Sequence, residues 1–334
     1  MKLGLKVLFS CILKKFPRMI EDKRGKIMFY TLLFRRMAVS LSLILAALSV
    51  TTIIYAKPQK QEFLTRSHPL TVTQKPNTSA QRVVALTSLT TDIVSSLDES
   101  KLVGRPDNKL FNGNQKLNKI PIVSQGQTQP NLEKIVALKP DLVVGAVGIH
   151  DQTVQKLKQL GINTVLVQVN NWSKLEEVTR LLATSINADP TPLLRKYQNI
   201  LNYNGSPSPS TLVLVSAQPI LSPNKNSWAG DMLSQFKMKN LAAQLQGESP
   251  MPGYISLSPE KVLQADPEVI ILIDMGNNEL MQQFKNQSFW SNLRAVKNNQ
   301  VYTLDYFGLV NPGSIDAIEQ ASTKLKQIIS EKKP

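Results

Sequence analysis

One stretch of this chain occurs twice, and that repetition limits the folds open to it. Asn131–Val144 reads NLEKIVALKPDLVV, and 127 residues later Ser258–Ile271 reads SPEKVLQADPEVII. Both copies carry Glu-Lys at the third and fourth positions (Glu133-Lys134, Glu260-Lys261) and a proline at the tenth (Pro140, Pro267). Each opens on a residue suited to cap a helix, Asn131 or Ser258, and Pro259 stands at the first helical position, where its missing N–H costs nothing. Ile135, Val136 and Leu138 then trace an apolar helical face, as do Val262, Leu263 and Ala265. The prolines end the helix. The runs that follow, LVVGAV and VIILI, have the continuous apolar character of strands covered on both faces of a parallel sheet. A helix–proline–strand unit repeated at this distance describes two similar α/β lobes from a duplicated domain, not a solenoid.

The rest of the chain fits that plan. Arg82–Leu86 reads as an opening strand, Thr87–Leu97 as an amphipathic helix, and Leu102–Gly104 as a second strand. Arg105–Lys119 is polar, holds Asn-Gly and reads as a loop. A helix near Asp151–Leu160 and a strand at Thr164–Val167 complete the first lobe. Trp172–Ile186 has a helical pattern, and Thr191–Leu201 a second, with Leu193, Leu194, Tyr197 and Ile200 on one side. The latter is long enough, at on the order of 20 Å, to cross between lobes. Strand Thr211–Val215, helix Ala229–Phe236, the second repeat, strand Gln300–Leu304 and helix Ile315–Ile329 build the second lobe. The expected fold is therefore α/β, two doubly wound lobes joined by a single long backbone helix. Its expected divisions are 81–171 for the first lobe, 172–205 for the connecting helices and 206–334 for the second lobe.

The formal charge of +15 suggests nucleic acid until its location is considered. Ten of the 39 Lys and Arg residues, but only two of the 24 acidic ones, lie in residues 1–56. The remainder shows no basic cluster with interleaved aromatics, so nucleic-acid binding is not expected. The basic segment precedes the uncharged run Met37–Ala56, which reads as a signal peptide cut after Ala56, or as an uncleaved anchor. Met1, Met19, Met28 and Met37 are all possible starts. Residues 57–80, rich in Lys, Gln, Thr, Ser and Pro, read as a flexible lead-in. Cys11, the only cysteine, lies upstream of the apolar run and so cannot be the lipidated residue of a lipoprotein. A mature chain without cysteine fits an exported protein.

No catalytic set assembles: GxSxG, GxxxxGK[ST] and GxGxxG after a strand are all missing. Two histidines, His68 and His150, cannot supply a His-rich zinc site. The chain reads as a binding protein with neither enzymatic activity nor a metal or cofactor of its own. Glu133 and Glu260 are each accounted for singly by the helix dipole, which favours a first-turn acid by roughly 0.3–1 kcal/mol. Their recurrence at one place in both lobes suits docking onto a partner with two basic sites. Ligand candidates stand where strand ends open into loops, which is where α/β sheets bind: Arg105, Phe111, Gln127, His150, Trp228, Tyr254, Asp305, Tyr306 and Phe307. The aromatics would stack on a flat or greasy ligand, and Arg105 would pair with an anionic one.

With PNLEKI at 130–135, KPDLV at 139–143, SWAGD at 227–231 and YISLSPE at 254–260, the chain resembles the bacterial periplasmic binding proteins of ABC importers for ferric siderophores, cobalamin and haem. The resemblance covers roughly Arg82 to Ile329. It implies two α/β lobes joined by a single helix, and a ligand held in the cleft between them. It also implies that Glu133 and Glu260, one per lobe, engage arginines on the membrane permease, which works with its ATPase as the partner. A ferric siderophore, whose iron is already fully coordinated, is the expected ligand. Cobalamin is the alternative: Gln127 stands where cobalamin binders place an aromatic, but Asp305-Tyr306-Phe307 resembles a run found in them. Haem ranks third, because only His150 and a few tyrosines could meet its iron. The expected location is extracytoplasmic, free or tethered by the N-terminus, and the expected state is a monomer.

Overall fold

The computed structural model describes residues 79–125, 128–203, 205, 209–243, 245, 251–276 and 279–331. The expected signal segment and nearly all of the expected lead-in lie outside them. The first lobe runs β1 (Val83–Ala85), α1 (Ser88–Asp98), β2 (Leu102–Pro106), β3 (Ile122–Ser124), α2 (Leu132–Ala137), β4 (Leu142–Ala146), α3 (Asp151–Gln159) and β5 (Thr164–Val167). Its strands form one parallel sheet in the order β3-β2-β1-β4-β5. The central strands are buried on both faces, Val83, Val84, Val143 and Val144 being fully covered, as apolar strands under helices require.

The link passes through α4 (Trp172–Ile186) and α5 (Thr191–Leu201). The longer, α4, packs against α1 in the first lobe and against α6 in the second. The crossing is made by Trp172–Ile186 with Thr191–Leu201, which packs on α4 through Tyr197, whose hydroxyl lies 3.0 Å from that of Thr179, and on helix Ile315–Glu331 of the second lobe, where Lys196 pairs with Asp316 at 2.9 Å and Glu319 at 3.0 Å. At 15 residues, α4 spans about 22 Å.

The second lobe contains β6 (Ser210–Leu214), β7 (Ser216–Ala217), β8 (Ile220–Pro223), α6 (Trp228–Gln235), β9 (Lys239–Asn240), β10 (Tyr254–Leu257), α7 (Pro259–Ala265), β11 (Val269–Asp274), α8 (Glu279–Lys285), α9 (Arg294–Lys297), β12 (Val301–Asp305) and α10 (Ile315–Glu331). A parallel sheet runs β12-β11-β6-β9, and a separate antiparallel one runs β10-β8-β7. Strands β7 and β8 are not visible in the sequence pattern: they are short, and prolines at 219 and 223 obscure them.

The two repeats share details below the level of secondary structure. Asn131 and Ser258 cap α2 and α7 by accepting from Lys134 N at 2.9 Å and Lys261 N at 3.3 Å. Each helix ends at a residue of positive φ just before the proline, Lys139 (φ 47) and Asp266 (φ 36). The acid after each proline clamps the start of the neighbouring strand's segment. Asp141 accepts from Gln81 N and Arg82 N at 2.8 and 2.9 Å, and Glu268 accepts from Ser210 N at 2.7 Å. Of the apolar residues traced along the helices, Ile135 and Val262 are fully buried, but Val136 and Leu263 remain 41% and 36% exposed. A helix this short presents only one face to its sheet.

One continuous core joins the lobes, including Val83 and Ile93 on one side and Val213, Trp228 and Phe236 on the other. At the seam Trp172 stacks on Trp228, ring centroids 5.7 Å apart, and Trp172 N donates to Asp231 Oδ2 at 2.7 Å. Asp92 of α1 accepts from Ile315 N of α10 at 2.6 Å.

Candidate functional site

The C-terminal edges of the two parallel sheets meet. The loop after β2 touches the turn after β12: Lys109 Nζ lies 5.5 Å from the centre of the Phe307 ring. Gly313 fills the remaining space, with φ at +41, and a Cβ there would collide with Phe307 and come within 2.9 Å of Leu110. Only glycine suits that approach.

Around this junction three rings are half-buried, Tyr254, Tyr306 and Phe307. Tyr306 and Phe307 meet edge to face at 5.4 Å. Burial pushes the Tyr254 hydroxyl up to about 12, with a smaller push from Tyr306, so the phenol stays protonated. Asp305 is exposed, and its carboxylate accepts from Phe307 N at 2.7 Å, shaping the turn that presents the two rings. These four expected residues stand together.

Four others have interior roles. Arg105 lies inside β2, not in a loop, and is 4% exposed. It donates to Leu117 O at 2.7 Å and Pro106 O at 2.9 Å, and covers the Phe111 ring at 5.3 Å. Burial lowers its pKa, against the pull of Asp107. A guanidinium spent on two carbonyls is not presented to a ligand, and Phe111 is buried with it. His150 is buried and its Nδ1 accepts from Ala146 N at 3.0 Å. Burial lowers its pKa, opposed by Asp151, so it is a neutral ring closing the turn after β4. Trp228 is buried against Trp172 and donates from Nε1 to Gly308 O at 2.7 Å. Gln127 lies outside the described residues.

The strand ends also carry residues that sequence reasoning missed. Lys109 supplies a cation beside Phe307. Ile149, after β4, and Met275, after β11, are each 67% exposed. Each is an apolar residue beside a glycine, Gly148 or Gly276, just past a buried strand; that trace is in the sequence, whereas their exposure was decided by the fold.

Glu133 and Glu260 sit in the first turns of α2 and α7, both exposed. The Ser258 side chain and the residue's own backbone N–H hold the Glu260 carboxyl below its ordinary range, so it is ionised. Among the described residues no group of three or more His, Cys, Asp or Glu side chains could hold a metal ion, and no helix is long and apolar enough to cross a membrane.

The family model for the periplasmic binding protein matches residues 83–306. The chain belongs to that family. It is a substrate-binding receptor of the ABC-importer class, whose members work outside the cytoplasm. It is 25% identical over 276 residues to the uncharacterized ABC transporter substrate-binding lipoprotein YvrC of Bacillus subtilis, covering 75% of this chain and 82% of that one. It is 24% identical over 188 residues to the Fe(3+)-citrate-binding protein YfmC of the same species (54% and 58%). Against the vitamin B12-binding protein of Vibrio cholerae it is 27% identical over 209 residues (59% and 72%). A crystal structure of an ABC transporter substrate-binding protein from Listeria monocytogenes superposes with a TM-score of 0.62 at 20% identity, covering 76% of this chain and all of that one.

Proposed function

We propose that this receptor captures a ferric siderophore between its lobes and delivers it to an ABC permease, without chemistry on the ligand. The observation that carries this reading is the group Tyr254, Tyr306 and Phe307 with Lys109, where the C-terminal edges of both sheets meet. Half-buried rings with one cation suit a compact, largely apolar chelate that offers a modest negative charge. The relative named for ferric citrate supports an iron chelate.

A second reading, cobalamin, rests on the Asp305-Tyr306-Phe307 run, which stands at the junction with Asp305 exposed and both rings half-buried, and on the vitamin B12-binding relative. Either way Glu133 and Glu260 would engage the permease, one per lobe, and the N-terminal 56 residues would direct export or tether the protein. The test is titration of intrinsic tryptophan fluorescence with a ferric hydroxamate, a ferric catecholate, cyanocobalamin and haemin. Saturable quenching by the ferric chelates alone is the expected result. Saturation by cyanocobalamin alone would move the assignment to the second reading, and saturation by none of the four would overturn both.

A further inference from the structure

Arg105 fills an interior place that an apolar side chain would fill at less cost, since a buried charge is expensive unless several partners hold it. The partners it has are the two feet of one loop. Nη1 donates to Pro106 O at 2.9 Å, where the chain leaves β2, and Nε donates to Leu117 O at 2.7 Å, where the chain turns back towards β3. Between these feet every residue of 107–116 except Phe111 is half-buried or exposed. A polar loop with so few covered side chains would otherwise sample many shapes. The two bonds close it at its base, and they do not involve the Phe111 side chain. Its near half carries a turn of its own: Asn108 Oδ1 accepts from Leu110 N at 2.9 Å, and Asn108 O accepts from Phe111 N at 3.0 Å. That turn sends Phe111 inward beneath the guanidinium and leaves Lys109 exposed beside the Phe307 ring of the second lobe. Leu110 stands against Gly313 of the same lobe.

We propose that Arg105 is a positioning residue for ligand selection: by clasping both feet of the 107–116 loop it holds Lys109 at the junction of the lobes, where that cation favours an anionic ligand over a neutral one of similar size. This rests on the receptor reading above and adds how the chain selects by charge. The guanidinium itself never meets the ligand. A lysine on a loose loop would have to be ordered at the expense of binding energy, whereas one held in place beforehand needs no such ordering. Its charge also acts from a partly covered position beside the rings, where water screens it less than on an open surface.

The test titrates the full chain with two probes, a ferric tris-catecholate, which carries three negative charges, and a ferric tris-hydroxamate, which carries none. Lys109→Met should weaken catecholate binding about tenfold and leave hydroxamate binding within about twofold. Arg105→Met should show the same bias. The two substitutions together should cost no more than either alone, because both remove one cation from one place. Lys116→Met, which removes an exposed cation of the same loop that pairs with Glu99 at 3.2 Å, should bind both probes as the native chain does. Thermal melting establishes that each variant is folded. If Arg105→Met is not, Arg105→Lys, which keeps the cation but not the planar fork, should show the bias in weaker form. Equal losses for both probes in the Arg105 variant, losses that multiply in the double variant, or native binding of the catecholate would make Arg105 a core residue only and overturn the proposal, with the receptor reading intact. Binding of the hydroxamate alone by the native chain would do the same. Binding of neither probe by the native chain would overturn the proposal and the siderophore reading together.

Discussion

The two lobes share their outer helices and differ at their inner edges. Both carry a capped short helix, a residue of positive φ before proline, and an acid clamping the neighbouring strand segment. The second lobe alone carries the antiparallel strands β7, β8 and β10, and with them Tyr254. The half-buried rings expected to meet ligand, Tyr254, Tyr306 and Phe307, all belong to the second lobe, while the first contributes Lys109. The duplicated part of the molecule thus builds the two lobes, and the part present once brings the rings to their junction.

The largest effect should come from the seam. Trp228→Ala removes a buried ring that stacks on Trp172 and donates to Gly308, and should cost about 3–5 kcal/mol in chemical unfolding. If the lobes were independent, unfolding would split into two transitions with only the second lobe affected. One cooperative loss is expected instead, because the core is continuous.

Next, Phe307→Ala should weaken ligand binding about tenfold in the fluorescence titration, equal to roughly 1.4 kcal/mol, whereas Phe111→Ala should lower stability and leave the affinity of the folded fraction intact. Equal losses of affinity would return Phe111 to the ligand surface. The caps offer a finer comparison. Asn131→Ala and Ser258→Ala should each cost about 1 kcal/mol, with the longer Ser258 bond giving the smaller loss in denaturant melts. A larger loss at Ser258 would show that the repeats are not held alike.

The smallest effect concerns Asp92, whose pKa burial raises, against the lowering donated by Ile315 N, while Asp316 raises it further and Lys196 lowers it. A carboxyl raised in the folded state contributes stability that is complete below its ordinary value of 3.8 and is lost as pH rises through the folded value. Asp92→Asn keeps an acceptor for Ile315 N without the buried charge. It should flatten the stability profile just above pH 3.8 and leave the neutral-pH protein as stable or slightly more so. An unchanged profile would place the titration elsewhere.

Residues 131–144 and 258–271 settled much by themselves: two lobes, helix before strand, strands buried on both faces. Caps, prolines and apolar runs act over a few residues, so the sequence shows them directly. Arg105, Phe111, His150 and Trp228 were also visible as polar or aromatic residues near strand ends, yet their roles were not. Whether Arg105 faces a ligand or the carbonyls of Leu117 and Pro106 depends on how far β2 extends and on the loop that folds over it. Likewise Val136 and Ile135 are adjacent and equally apolar, and only the direction from which the sheet approaches decides that one is covered and the other bare. Local pattern determined which elements form. Which of their faces are left for a ligand or a partner was decided by contacts between residues far apart in the chain, whose packing no local periodicity encodes.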